Sequence, residues 1–163
     1  MSVGQIAALS NTEIHSLTPA DIASLSARQI GAFTITQIPE FSGTQLAALA
    51  NTQMVALTPA QIGALSPDQL SFSPGQLSVL LKAQIQALDV GDIAALSTQQ
   101  IRGLTPTEMS ALTPSQVSVL TPSQLGALLP QQVQGLSAVQ LQVLNATQVG
   151  ALGATQIAAF SAA

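Results

Sequence analysis

The chain has no cysteine, no tryptophan and no tyrosine, and only four phenylalanines in 163 residues. Without thiols, disulfides, thiolate metal sites and cysteine nucleophiles are all excluded. With so few rings, the core has to be thin and built from Ile, Leu, Val and Ala. Charge is scarce as well. Charged residues make up 6% of the chain, against roughly 25% in an average soluble protein. The three basic residues, Arg28, Lys82 and Arg102, stand far apart in a chain of net charge −4. Nucleic-acid binding needs clustered cations to displace counterions, so no nucleic-acid partner is predicted. Docking on an anionic membrane fails for the same reason. Long apolar runs are missing too, because a Gln, Glu or Asp interrupts every stretch short of 18 residues. No membrane insertion is expected despite 47% hydrophobic residues. The start, Met1-Ser2-Val3-Gly4-Gln5, lacks the basic segment and apolar run of a secretory signal peptide.

What the chain does have is a repeat. An amide or acid followed by an apolar residue recurs every eight positions: Gln5, Glu13, Asp21, Gln29, Gln37, Gln45, Gln53, Gln61, Gln69, Gln76, Gln84, Asp92, Gln100, Glu108, Gln116, Gln124, Gln132, Gln140, Gln148 and Gln156. These twenty positions number the octads below, and the only irregular step is the seven residues from Gln69 to Gln76. A Leu or Phe closes each octad, from Leu9 to Phe160, and the consensus reads Leu-Thr/Ser-Pro-x-Gln-Ile-x-Ala.

Each octad carries a complete helix-start signal. Ser or Thr three residues before Gln or Glu is a capping box: the hydroxyl accepts from the amide residue's N–H, and the amide reaches back to the cap's N–H. Eight of the nine prolines, Pro19, Pro59, Pro67, Pro74, Pro106, Pro114, Pro122 and Pro130, sit just after the cap. There the missing N–H costs nothing. The preceding Leu and the following Ile occupy the staple positions of such a start. Recurrent Pro forbids one long helix, so a short helix of about six residues per octad is predicted. Helices this short are unstable alone and have to stack on neighbouring octads. The fold class predicted is all-α, a solenoid of twenty octads forming a single unit over residues 1–163, with a one-residue defect at 69–76. A β-solenoid is the rival for short-period repeats, but Pro and the capping box oppose strands. No higher period of 16, 24 or 32 is visible, so neither handedness nor the number of octads per turn follows from the sequence.

The core columns are predicted at positions of the Ile62 and Leu65 type, with Ala60 and Gly63 types exposed. The residue before the closing Leu is usually small (Ala8, Ser16, Ala48, Ala64, Gly103), which suits close helix approach. At the seven-residue step, Leu70-Ser71-Phe72-Ser73-Pro74-Gly75, a local distortion and a weak joint are expected.

The phrase Leu57-Thr58-Pro59-Ala60-Gln61-Ile62 resembles the start of each repeat in transcription activator-like effectors. Those repeats are about four times longer and sit on a basic scaffold, so only the helix-start device is shared and DNA recognition is rejected. Over its whole length the chain is similar to the Leu-Thr-x-x-Gln-Ile-x-Ala arrays of very large bacterial adhesin-like proteins, often labelled for haem utilisation or adhesion. That resemblance implies a secreted, extracellular or cell-surface structural array. Both ends fall within the repeat without a distinct polar cap, which points to a fragment of a longer chain or to end-to-end self-association.

No catalytic, cofactor-binding or metal-ligating residue is predicted. His15 is the lone His and lacks partners for metal or proton transfer, so it reads as an exposed spacer. Asp89 and Asp92 read as an all-acid capping box rather than a catalytic pair. Glu13, Asp21 and Glu108 replace the repeat's Gln, while Glu40 and Asp68 are dispersed. The amide column itself has two readings, a capping position or an exposed ligand-binding stripe, and the cap explains it more simply. Thr58, Thr105, Thr113 and Thr121 are expected as caps, and Thr12, Thr36, Thr44, Thr52, Thr107, Thr147 and Thr155 as solvent-facing. Function then divides three ways. A spacer or stalk leads. A protein- or glycan-binding solenoid would use the irregular segment Gln69 to Asp92, with Phe72, Leu81 and Lys82. An ice-binding protein would use exposed Thr and Ala. An enzyme is not expected.

Overall fold

The computed structural model describes residues 1–160. Every octad in it makes one helical element: eighteen short α-helices and two 3₁₀ turns, with no strand among the described residues. The helices are four to seven residues long, from Ala27–Ile30 to Ala154–Phe160. The chain is therefore an all-α superhelix, as the capping pattern predicts.

Each helix begins where its box dictates. Thr58 is extended at φ −73°, ψ 156°, its hydroxyl accepts from the Gln61 N–H at 3.2 Å, and Gln61 Oε1 accepts from the Thr58 N–H at 2.6 Å. Where the cap has no oxygen, at Ala50, Leu81 and Leu129, the second half of the box persists: Gln53, Gln84 and Gln132 still accept from the cap N–H at 2.7–2.8 Å. The reach-back of the amide is thus the constant half. Thr58, Thr113 and Thr121 accept as caps. Thr105 departs from expectation: its hydroxyl donates to the Glu108 carboxylate instead.

The two 3₁₀ turns have local causes. In octad 5, Pro39 sits two places after the amide, where it removes an N–H that elsewhere continues the helix, and only Ile38–Glu40 winds. In octad 9 the missing residue leaves room for Pro67–Gln69 alone, after which Leu70 leaves the helix at φ −76°, ψ 51°. Leu70 and Phe72 both turn into the core.

The core is one continuous ribbon from Ile6 to Leu136. The residue after the amide is completely covered in most octads, including Ile14, Ile62, Ile93 and Val117. The closing Leu forms the second column, with Leu65, Leu88 and Leu120 buried. Ala60 and Gly63 are exposed, as expected. Phe33 and Phe41 are buried and pack edge to face, centroids 4.8 Å apart.

Helices pack on those three octads away: Ala27–Ile30 on Asn51–Ala56, Pro59–Ile62 on Lys82–Ala87, Pro130–Gln134 on Ala154–Phe160. The amides reach further. Gln45 Nε2 donates to the carbonyls of Ile14 (2.8 Å) and Leu17 (2.7 Å), four octads earlier. One superhelical turn therefore holds between three and four octads. Gln116 does the same to Ile85 and Leu88, Gln132 to Ile101 and Leu104, and Gln156 to Leu125 and Leu128. Each Gln of the series from Gln37 onward donates in this way to a carbonyl near the end of a helix one turn back. Across the seven-residue step the ladder continues with its offset shortened by one, Gln76 reaching Leu46 and Leu49 at 3.1 and 2.8 Å.

The small column also gains its reason here. A Cβ on Gly103 would lie 2.5 Å from the Pro74 Cα, and one on Gly135 would lie 2.5 Å from the Pro106 carbonyl oxygen. The residue before the closing Leu abuts the helix start three octads earlier, so bulk there would pry turns apart.

Two expected outcomes follow. Gln116→Glu removes both donors to the previous turn and should lower stability by about 1–3 kcal/mol or more. Gln5→Glu, at an exposed site with only its own cap to serve, should stay within about 0.5 kcal/mol. Urea midpoints of the two variants check the pair. Gly103→Ala should destabilise by about 1–3 kcal/mol through overpacking. Gly150→Ala, with nothing within 4 Å of its added carbon, should gain up to about 1 kcal/mol of helix propensity; thermal unfolding distinguishes the signs.

Candidate functional site

The chemically equipped side chains of this chain are the amide column and the few titratable groups, and nearly all of them are engaged in the fold. The column is neither an exposed stripe nor only a set of caps. Gln53, Gln61, Gln84, Gln116 and Gln132 are each no more than 2% exposed. Oxygen and nitrogen have different duties: Oε1 accepts at the start of its own helix, and Nε2 donates to a helix end one turn away. The local half was legible from the spacing of Ser/Thr and Gln. The distant half was not, because its partners lie 27 to 31 residues back and depend on the pitch.

The acids divide by position. Glu13 and Asp21 lie in the first four octads and are exposed. Glu13 accepts from both the hydroxyl and the N–H of Ser10, Asp21 from both those of Thr18. Those side-chain and backbone bonds hold both carboxyls below the usual range. Glu108 is buried and accepts from the Thr105 N–H at 2.8 Å and from its hydroxyl.

Asp89 and Asp92 form the expected all-acid box: Asp92 N–H donates to Asp89 Oδ1 at 2.7 Å, and Asp89 N–H to Asp92 Oδ2 at 2.8 Å. Asp89 is exposed, whereas Asp92 is 1% exposed. The other oxygen of Asp92, Oδ1, is buried without a hydrogen-bond partner. Burial is the main cause that pushes the Asp92 carboxyl up, and the Asp89 charge adds to it against the pull of the Asp89 N–H bond.

His15 is exposed, as read, but it has a partner the spacing did not suggest. Its Nε2 lies 2.9 Å from Glu40 Oε2, joining octads 2 and 5. An exposed pair of this kind contributes little to stability. Among the described residues no group of three or more His, Cys, Asp or Glu side chains could hold a metal ion. The segment singled out for a partner splits: Phe72 is buried in the core, while Leu81 and Lys82 are exposed. A shallow apolar groove lies beside it, lined by Asn51, Thr52, Val55 and Val79. No helix among the described residues is long and apolar enough to cross a membrane.

Against known proteins, the ALTTAQ repeat family matches twice, at residues 85–122 and 93–130. The search of curated proteins yields no match. The matched stretch runs from octad 11 to the start of octad 17 and has the same capping boxes as the rest of the array, with Asp92 and Glu108 in place of two of its amides. The chain is thus similar, over that part, to an octapeptide-repeat family, and it forms a repetitive all-α solenoid.

Proposed function

We propose that the array is a spacer or stalk of a large extracellular or cell-surface bacterial protein, with no catalytic, cofactor or metal site. The observation that carries this reading is the two-ended use of each amide. Every octad caps its own helix, and each Gln from Gln37 onward also ties its octad to the one four before it, so length can be added without new rules. The core and ladder leave few titratable groups at the surface, so the rod's dimensions depend little on salt or pH. Similarity to the ALTTAQ repeat supports a structural rather than chemical role. A protein or glycan partner on the Val55–Val79 groove is the alternative, and end-to-end self-association is compatible with repeat stacking.

The test is length. Duplicating octads 5–20 in frame should extend the particle in proportion, by small-angle scattering, with an unchanged cross-section at low and high salt. A compact, non-linear particle would defeat the stalk reading. Saturable binding in a glycan array, lost in Val55→Glu, would replace it with the binding one.

A single solenoid over residues 1–163, jointed at 69–76, is part of the same proposal. Inserting Ala between Ser71 and Phe72 should restore an eight-residue step and raise the melting temperature. A lowered value would mean that the short octad is fitted to its neighbours.

A further inference from the structure

Asp92 stands where the ladder calls for a donor. Its neighbours in the series show which groups it faces: Gln84 donates to Met54 and Leu57, 30 and 27 residues back, and Gln100 to Leu70 and Phe72, 30 and 28 back. The Gln84 offsets, taken from Asp92, land on Ile62 and Leu65, whose carbonyls end their octad in the same way, the Ile62 oxygen accepting from the Leu65 N–H at 3.1 Å and keeping a second lone pair. An ionised carboxylate at this place would set a buried, unpartnered oxygen against carbonyl lone pairs. That arrangement is unfavourable on both sides, because neither partner supplies a hydrogen.

We propose that Asp92 is carried protonated in the folded array, and that its proton closes the ladder between octads 12 and 8. Oδ2 accepts from the Asp89 N–H, as Gln Oε1 does in other octads, and Oδ1–H donates toward the Ile62 and Leu65 carbonyls, as Gln Nε2 does. The link is then proton-dependent at one rung of a ladder whose other bonds come from amides, and the turn joint there loosens when the proton leaves.

The chain contains its own control. Asp21 occupies the same box position, but it is exposed and receives a hydroxyl bond from Thr18 as well as the N–H. Asp92 is buried, and its cap residue Asp89 has no hydroxyl to offer, so one N–H is all that stabilises its charge. No cation compensates. The helix Pro114–Ser118 and the turn Pro67–Gln69 pack against Val90–Ala95. The first carries no titratable group and the second only exposed Asp68. Lys82 and Arg102, in the octads to either side, are exposed. The one ion pair among the described residues is His15–Glu40.

The sign follows from linkage. A carboxyl whose pKa is raised by folding binds its proton more tightly in the folded state. Its contribution is complete below the unfolded value of about 3.9 and is lost as pH rises through the raised folded value. Glu13 and Asp21, held low, act in the opposite sense, losing their contribution as pH falls. A paired comparison cancels them.

The experiment measures melting temperature from about pH 7 to about pH 4 for the wild type, Asp92→Gln and Asp92→Asn. Asp92→Gln supplies the permanent donor at full reach, and Asp92→Asn supplies it at the native length. The wild type should gain a few degrees relative to both variants on acidification, and Asp92→Gln should be the more stable at neutral pH. In parallel, carboxyl carbon chemical shifts of the wild type should show one carboxyl, absent in Asp92→Gln, that titrates above all the others. If a variant fails to fold, the wild-type titration alone decides. Parallel melting profiles, or an Asp92 carboxyl that ionises in the ordinary range and is merely hydrated, would overturn the proposal.

Discussion

The structure depends on a single interaction repeated along the chain, the buried side-chain amide that serves two helices at once. A helix of six residues leaves nearly all of its backbone groups without internal partners, since four donors and four acceptors are unsatisfied at the ends of any helix. In a solenoid made only of such helices, the unsatisfied ends are the main obstacle to burying a core. Glutamine meets both needs because its two polar atoms differ in kind and its stem is long enough to span two turns. Oε1 takes a donor at one helix start and Nε2 serves acceptors at another helix end. Glu supplies only the first service, and a hydroxyl residue has neither the reach nor the paired chemistry.

That division explains where acids are found. Glu13 and Asp21 are exposed, and there a carboxylate caps as well as an amide. Glu108 and Asp92 occur inside, where it does not. Glu108 keeps a hydroxyl from Thr105 as a second donor, while Asp92 has a carboxylate for its cap and keeps one oxygen without a partner. The same substitution, acid for amide, thus differs in consequence according to whether the side chain is buried.

The pitch has consequences of its own. With between three and four octads per turn, side chains of equal phase do not fall into register after a whole number of repeats. No position is favoured at 24 or 32 residues, which is why no higher period is visible in the sequence. The residue before the closing Leu, small in most octads, is set by the same packing. It faces the helix start three octads away, so Gly103 and Gly135 accommodate backbone that would collide with a side chain.

How much was legible divides along the range of the interactions. The capping boxes, the helix in each octad, the Ile and Leu columns and the exposed threonines just before the amide all rest on spacings of three or four residues, which the covalent geometry of a helix makes independent of anything distant. From these the sequence by itself determined an all-α array with buried Ile62 and Leu65 and exposed Ala60 and Gly63. The tertiary structure decided the rest: that the amides are buried donors, that Phe72 fills the core, that His15 meets Glu40, and that Asp92 is buried while Asp21 is exposed. Those partners lie 25 to 31 residues apart. Which residues meet over that span is set by the angle at which each short helix leaves the last, and that angle comes from side-chain packing summed over a whole turn.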